Sequence, residues 1–435
     1  MNYLPNIIFA IALIFGIGYF ARNVKKLVRN IKLGKDKDVS DNKSQRWKNM
    51  AMIALGQSKM VKRPIAGFFH IIVYVGFVII NIEVLEIIID GLFGTHRIFS
   101  GIGNLYGFLI GSFEILAALV FVAVVVFWIR RNIIKIKRFM SSEMKGWPKT
   151  DGNVILYFEM VLMTLFLVMN ATDAHFQAMN SGNVISQFIA PLFSGLSENA
   201  LHFVERSAWW LHILGILVFL NYLYFSKHLH ILLAFPNTYY GNLNPKGQFS
   251  NSEAVTKEVM LMMDPDADPF AAPAEDDNEQ VPEKFGASDV QDLSWVNLLN
   301  AYTCTECGRC TSECPANQTG KKLSPRKIMM DTRDRLVEVG ENIDANNGEF
   351  KDDGKQLLND YITKEELWAC TSCNACTEAC PVSIDPLNII MEMRRYLVME
   401  ESAAPMELNN MMTNIENNGA PWPYNQMDRL NWKNE

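Results

Sequence analysis

The sequence predicts a mainly α-helical protein in two parts: five membrane-spanning helices, then a polar helical region that carries every cysteine. Three observations predict it. Five apolar runs approach the roughly 20 residues needed to cross a bilayer. All 8 cysteines fall in two copies of one phrase. The cysteine-bearing region has little of the apolar–polar alternation that strands require.

The apolar runs lie at about 5–21, 65–89, 102–129, 154–170 and 208–225. The first follows Met1-Asn-Tyr-Leu-Pro-Asn, which has no basic leader, so a retained helix is expected rather than a removed signal peptide. Arg22, Lys25, Lys26, Arg29, Lys32, Lys35, Lys62 and Arg63 separate the first two runs. Arg130, Arg131, Lys135, Lys137, Arg138 and Lys145 separate the third from the fourth, and 171–203 has no lysine or arginine. By the positive-inside rule the N-terminus lies outside, and both basic loops and the cysteine region lie in the cytoplasm. The expected location is therefore the cytoplasmic membrane. The stretch Ser44–Met60 reads equally as an interfacial helix or a loop.

These patterns divide the 435 residues into a membrane part (1–240), an acidic linker (241–293), a cysteine-bearing helical region (294–400) and a polar tail (401–435). The formal charge of −7 gives no footprint for nucleic acid. No Rossmann fingerprint, Walker A loop or nucleophile pattern is present, which argues against direct binding of NAD, FAD or ATP.

The phrases are Cys304-Thr-Glu-Cys307-Gly-Arg-Cys310-Thr-Ser-Glu-Cys314-Pro315 and Cys370-Thr-Ser-Cys373-Asn-Ala-Cys376-Thr-Glu-Ala-Cys380-Pro381. C-x2-C-x2-C-x3-C-P wraps a cubane cluster, and its fourth cysteine usually serves the other cluster. Cys304, Cys307, Cys310 and Cys380 are therefore expected to hold one [4Fe–4S] cluster, and Cys370, Cys373, Cys376 and Cys314 the second. Zinc sites present separated cysteine pairs instead. Each phrase leads to a helix with a polar cap and a first-position proline, Ser324-Pro325 and Asp385-Pro386.

Ionisable groups inside spanning segments are costly and usually functional. Of the 7 histidines, His212 and His230 lie five helical turns apart on one face, roughly 27 Å, if the last helix continues unbroken. His228 would then point almost the other way. His70 sits at a depth close to His230, so His70 and His230 are the expected haem pair. Glu83 and Glu86, with Asn81 nearby, lie toward the far end of the second helix, and Asp173 toward the far end of the fourth. A carboxyl group in an apolar slot suits proton exchange with a quinol.

Trp209-Trp-Leu-His212 … Phe225-Ser226-Lys227-His228-Leu229-His230 resembles the last helix of the nitrate reductase gamma subunit, a five-helix dihaem cytochrome b that oxidises quinol. That family places two histidines ten residues apart on its second helix. Here His70 matches the first, and Ile80 stands at the second. His212 then needs another partner, and His175 is favoured over His202 and His96. The resemblance implies one or two b haems, with menaquinone or ubiquinone as substrate.

Ser294-Trp295 … Cys304-Thr-Glu-Cys-Gly-Arg-Cys … Cys314-Pro-Ala and Leu367-Trp368-Ala-Cys370-Thr-Ser-Cys373 resemble membrane iron–sulfur oxidoreductases related to heterodisulfide reductase. Most of the chain is covered: a cytochrome b-like bundle fused to an α-helical ferredoxin domain. Members of that family usually work beside a protein with cysteine-rich CCG motifs. The implied function is a membrane electron-transfer subunit between quinone and a cytoplasmic partner. A haem-free membrane-anchored ferredoxin and a redox sensor are the alternatives.

Overall fold

The computed structural model describes residues 3–245, 247–264 and 284–434. The centre of the expected acidic linker, 265–283, lies outside them. Among the described residues there are no strands, only two isolated bridges, Lys35–Ser294 and Leu358–Ile362. Five helices are long and apolar enough to cross a membrane: Leu4–Ile31, Pro64–Phe93, Asn104–Asn132, Trp147–Thr172 and Glu198–Tyr222, the last prolonged by a 3-10 turn to Phe225.

Every one of these helices overruns its apolar run. The second starts at Pro64, where the missing N–H costs nothing, and stops at Gly94, whose φ of 70° suits a helix end. The first runs ten residues past Ala21, because nothing between Arg22 and Ile31 breaks a helix. That extension is a clamp as well as a basic flank. Arg29 Nη2 donates to the Gly340 carbonyl (2.9 Å), Asn30 Nδ2 to the Tyr302 hydroxyl (2.9 Å), and Lys26 pairs with Asp344 (2.6 Å). Gly340 is required here, since an added Cβ would lie 2.4 Å from Asn30 Nδ2. Next to it, residues 35 and 293–295 pair through Lys35 N–Leu293 O (2.8 Å) and Trp295 N–Lys35 O (3.0 Å).

Two expectations about helices change. Lys43–Leu55 is helical, α then π, and packs on a helix at His230–Tyr239; buried Arg46 donates to the Tyr239 and Gly241 carbonyls (3.2 and 3.1 Å). The fifth helix does not continue to His230. Ser226 turns extended (φ −115°, ψ 147°) and its hydroxyl caps the His228 N–H, so the unbroken five-turn spacing from His212 to His230 is absent. A helix at Glu253–Met263 also occupies part of the expected linker.

Two apolar cores result. One fills the bundle, with Phe9, Ile80, Ile87, Phe113, Val120, Phe166 and Ile213. The other centres on Leu298, Ile328, Leu336, Val339, Ile390 and Met393, and takes in Leu27, Ile155, Phe219, Leu223 and Leu229 from the long helices and the turn after them. The cysteine region and the bundle thus share one core. Within it Arg335 is fully buried between Asp289 (2.8 Å) and Asp353 (2.6 Å). Replacing Arg335 with Leu should destabilise this region by ~3–5 kcal/mol, since two carboxylates lose their partner. Lys364→Ala, which opens the exposed pair with Glu401, should cost under ~1 kcal/mol. Calorimetry of the detergent-solubilised protein reads both; equal effects contradict this account of Arg335.

Candidate functional site

Each cysteine phrase is a tight loop followed by one turn of helix. In the first, the helix Trp295–Thr303 ends into Cys304, and Glu306 (φ 54°) and Gly308 (φ 69°) are left-handed. A short helix, Arg309–Glu313, then carries Cys310. In the second, Ser372 (φ 52°) and Asn374 (φ 61°) are the equivalent left-handed residues, and Ala375–Ala379 carries Cys376. The match extends outward. Thr311 Oγ1 meets Ser324 Oγ (2.9 Å) and Thr377 Oγ1 donates to Asp385 Oδ1 (3.1 Å), and Ser324 and Asp385 each cap the next helix.

The two short helices pack on each other and exchange their last cysteines. Cys314 lines one small cavity with Cys370, Cys373 and Cys376, closed by Leu323, Pro325, Leu387 and Ile390. Cys310 feels the charge of Cys304, Cys307 and Cys380, and Cys380 that of Cys307. These are the two expected sets. All eight thiols are free of disulfides. Burial pushes the Cys304 and Cys376 thiols up to about 12 and Cys380 to about 11. Such groups become thiolates at neutral pH when metal charge replaces the proton. The donor set and the enclosed, apolar-lidded space fit [4Fe–4S] clusters.

The first set sits against the bundle. Glu306, 3 % exposed, ion-pairs with Lys227 and with Arg333 (2.8 Å). Lys227 also reaches Asp151 (3.8 Å) and the Pro148 carbonyl (2.6 Å). Arg309 donates to the Lys59 and Met60 carbonyls just before the second long helix (3.0 and 3.2 Å). Arg326, fully buried, holds the Arg138 carbonyl (2.6 Å) and Glu143 (2.7 Å).

Lys227 begins the turn that carries His228 and His230. Their rings meet edge to face (5.3 Å), and His70 lies within range of both charges. So His70 and His230 are brought together, with His228 as a third imidazole that an unbroken helix would have turned away. His230 Nδ1 is tied to the Lys227 carbonyl (3.1 Å), and His70 Nδ1 is buried with no partner. His212 lies in the middle of the fifth helix, 1 % exposed. Its Nδ1 is tied to the Leu162 carbonyl (3.0 Å), and its Nε2 is buried with no partner. A ring nitrogen fixed by a backbone carbonyl with the other left free is how metal-ligating histidines are oriented. His212 and His230 therefore fit an axial-ligand role. His175 is not brought to His212. It is exposed beyond the end of the fourth helix, its ring against His96 (5.7 Å).

A cavity of about 400 Å³ opens at the end of the bundle away from the cysteines. Phe9, Trp209 and Trp210 form its apolar wall, and Glu83, Glu86, Asp90, Arg97, Asp173, Glu205 and Arg206 its polar lining. Trp209 lies one turn before His212. Glu86 is locked by the Phe99 N–H (2.8 Å) and the Tyr106 hydroxyl (3.1 Å). Glu83 is equally buried, but its Oε2 has no partner. Asn81 points away and bonds its own helix. Arg97, Trp209, Trp210, Glu205 and Lys227 were missed in the sequence because no spacing marks them; only the fold brings them to these sites.

Residues 303–384 match the 4Fe-4S dicluster domain family. The whole chain is similar to the probable iron-sulfur-binding oxidoreductase FadF of Bacillus subtilis, at 28 % identity over 99 % of this chain and 61 % of that protein. It is similar to the EtfAB:quinone oxidoreductase of Syntrophomonas wolfei, at 25 % over 91 % of this chain and 55 % of that one. The cysteine region resembles part of a ferredoxin/F(420)H(2)-dependent CoB-CoM heterodisulfide reductase from Methanosarcina acetivorans, at 33 % over 25 % of this chain and 52 % of that one. No solved structure matches. The relatives are thus iron–sulfur oxidoreductases and heterodisulfide reductase subunits, and iron–sulfur electron transfer is the chemistry of this chain. It spans 61 % and 55 % of the first two relatives' length.

If the fourth cysteines are exchanged, Cys314→Ser perturbs the cluster of the second phrase and Cys380→Ser that of the first. Paramagnetic resonance of the reduced variants reads this. A Cys314→Ser protein whose altered signal belongs to the first phrase, as identified by a Cys307→Ser comparison, contradicts the exchange.

Proposed function

We propose that the chain is the membrane electron-transfer subunit of an oxidoreductase, passing electrons between the quinone pool and a partner protein. Residues 1–240 form the haem b and quinone unit, and 294–400 the unit with two [4Fe–4S] clusters. The observation that carries this reading is the arrangement along the bundle. A carboxylate-bearing cavity lies at one end, His212 is buried midway, His70 and His230 meet at the other end, and the first cysteine set is docked beside them.

His70 and His230 would hold one haem, and His212 would offer a ligand to a second. Bound haem and clusters supply one-electron carriers, into which a two-electron quinol can be divided. The chain's own residues do the rest. Phe9, Trp209 and Trp210 give a quinone ring an apolar wall. Oxidation of a quinol releases two protons with its two electrons. Glu83, buried with a free oxygen, is placed to accept a proton there, while Glu86, held by two donors, shapes the slot. Lys227 and Glu306 fix the first cysteine loop against the turn that carries His228 and His230.

The basic flanks support an orientation with the clusters in the cytoplasm and the cavity toward the outside. The expected partner is a cytoplasmic iron–sulfur protein with CCG motifs. The similarity to an EtfAB:quinone oxidoreductase supports the quinone side.

A reduced-pyridine haemochrome spectrum of the purified protein is expected to show b-type haem. Its absence would favour the haem-free anchored ferredoxin instead. Glu83→Gln should slow cluster reduction by a menaquinol analogue about a hundredfold or more. Reduction by dithionite, which bypasses the cavity, should be unchanged. Equal quinol-driven rates in the two proteins would remove Glu83 from the proton path.

A further inference from the structure

The mouth of the cavity holds a second constellation that electron transfer does not use. His96, in the connection after the second long helix, Asp173, at the end of the fourth, and Glu205, near the start of the fifth, converge there. One donor atom of each lies within 4.8 Å of the others. Among the described residues this is the one such group of three or more potential ligands. Asp173 and Glu205 are buried, and His96 is 44 % exposed, so the group opens to the aqueous side. His96 Nε2 is 3.2 Å from Asp173 Oδ2. A further imidazole, His202, stands 3.9 Å from Glu205 Oε2.

Each carboxylate also has an arginine: Arg97 on Asp173 (2.7 Å) and Arg206 on Glu205. These arginines orient the group without saturating it, because a carboxylate offers about four lone-pair positions. Nor do they neutralise the surroundings. Five carboxylates line the cavity, Glu83, Glu86, Asp90, Asp173 and Glu205, against the two arginines Arg97 and Arg206. The net field at the mouth therefore favours a cation. Imidazole nitrogen with carboxylate oxygen selects a zinc-class transition ion over magnesium or calcium.

We propose that His96, Asp173 and Glu205 form a zinc-class metal site at the mouth of the cavity, with His202 as the available fourth ligand. An ion here joins three chain segments separate in sequence and closes the aqueous side of the cavity. The site stands on its own residues and does not depend on quinone or haem binding.

The test uses the full-length, cluster-loaded protein in detergent, titrated with zinc alone. Bound zinc is counted per chain after removal of free ion, and its neighbours are read by X-ray absorption at the zinc edge. A single zinc with nitrogen and oxygen neighbours is expected. His96→Ala should weaken it by about tenfold or more, since even loss of an outer partner of a metal ligand costs that much. The Glu205→Gln protein should show the same direction; retained cluster absorbance certifies the fold of both. Sulfur neighbours, no retained zinc, or equal affinity in both variants and the parent overturns the site. The result is independent of any haemochrome or quinol assay, so failure here and failure of the electron-transfer reading are distinguishable.

Discussion

The structure turns on a buried ion group between the bundle and the cysteine region. Lys227 leaves the end of the fifth helix and lies between Glu306 of the first cysteine phrase and Asp151 of the fourth helix, with Arg333 on the far side of Glu306. A buried pair of this kind adds little net stability over an apolar contact, but removing one partner costs ~3–5 kcal/mol. Its value is therefore registry. It permits one placement of the first loop on the bundle, and that placement brings the loop to the turn carrying His228 and His230.

Other contacts agree with this one. Arg29 and Asn30 reach Gly340 and Tyr302 from the first long helix. Arg309 reaches back to the segment before the second, and Arg326 to the loop before the fourth. The basic residues that orient the chain in a bilayer include several that also fasten the cysteine region to it. Arg63 pairs with Glu313 (2.8 Å) and Lys62 with Glu378 (2.7 Å), both within the phrases. Charge that would otherwise sit beside lipid headgroups is used to hold the two parts together, and the shared apolar core fills the space between these ties.

How much was legible in the sequence depends on whether the signal was local. The cysteine phrases, the caps at Ser324 and Asp385 and the five apolar runs are local patterns, and the structure has the corresponding helices and loops. The overrun of the first helix was hidden because hydropathy ends at Ala21 while helical propensity does not. The break at Ser226 was hidden because an extended serine inside an otherwise helical stretch leaves no clear mark. It removed the simple spacing between His212 and His230, although the turn still brings His230 toward His70. His175 was placed by extending the fourth helix past Thr172; Asp173 instead takes extended backbone and caps a separate short helix, which puts His175 at the surface. The difference between Glu83 and Glu86 depends on Phe99 and Tyr106, which no spacing connects to them.

The central claim is that the first cluster, rather than the second, lies next to the membrane haem. Pulsed paramagnetic resonance on partly reduced protein tests it most directly, through the relaxation that oxidised low-spin haem iron imposes on each reduced cluster. The account predicts strong enhancement for the cluster of Cys304, Cys307, Cys310 and Cys380 and weaker enhancement for the other. Equal enhancement of both clusters, or stronger enhancement of the cluster held by Cys370, Cys373, Cys376 and Cys314, would contradict it.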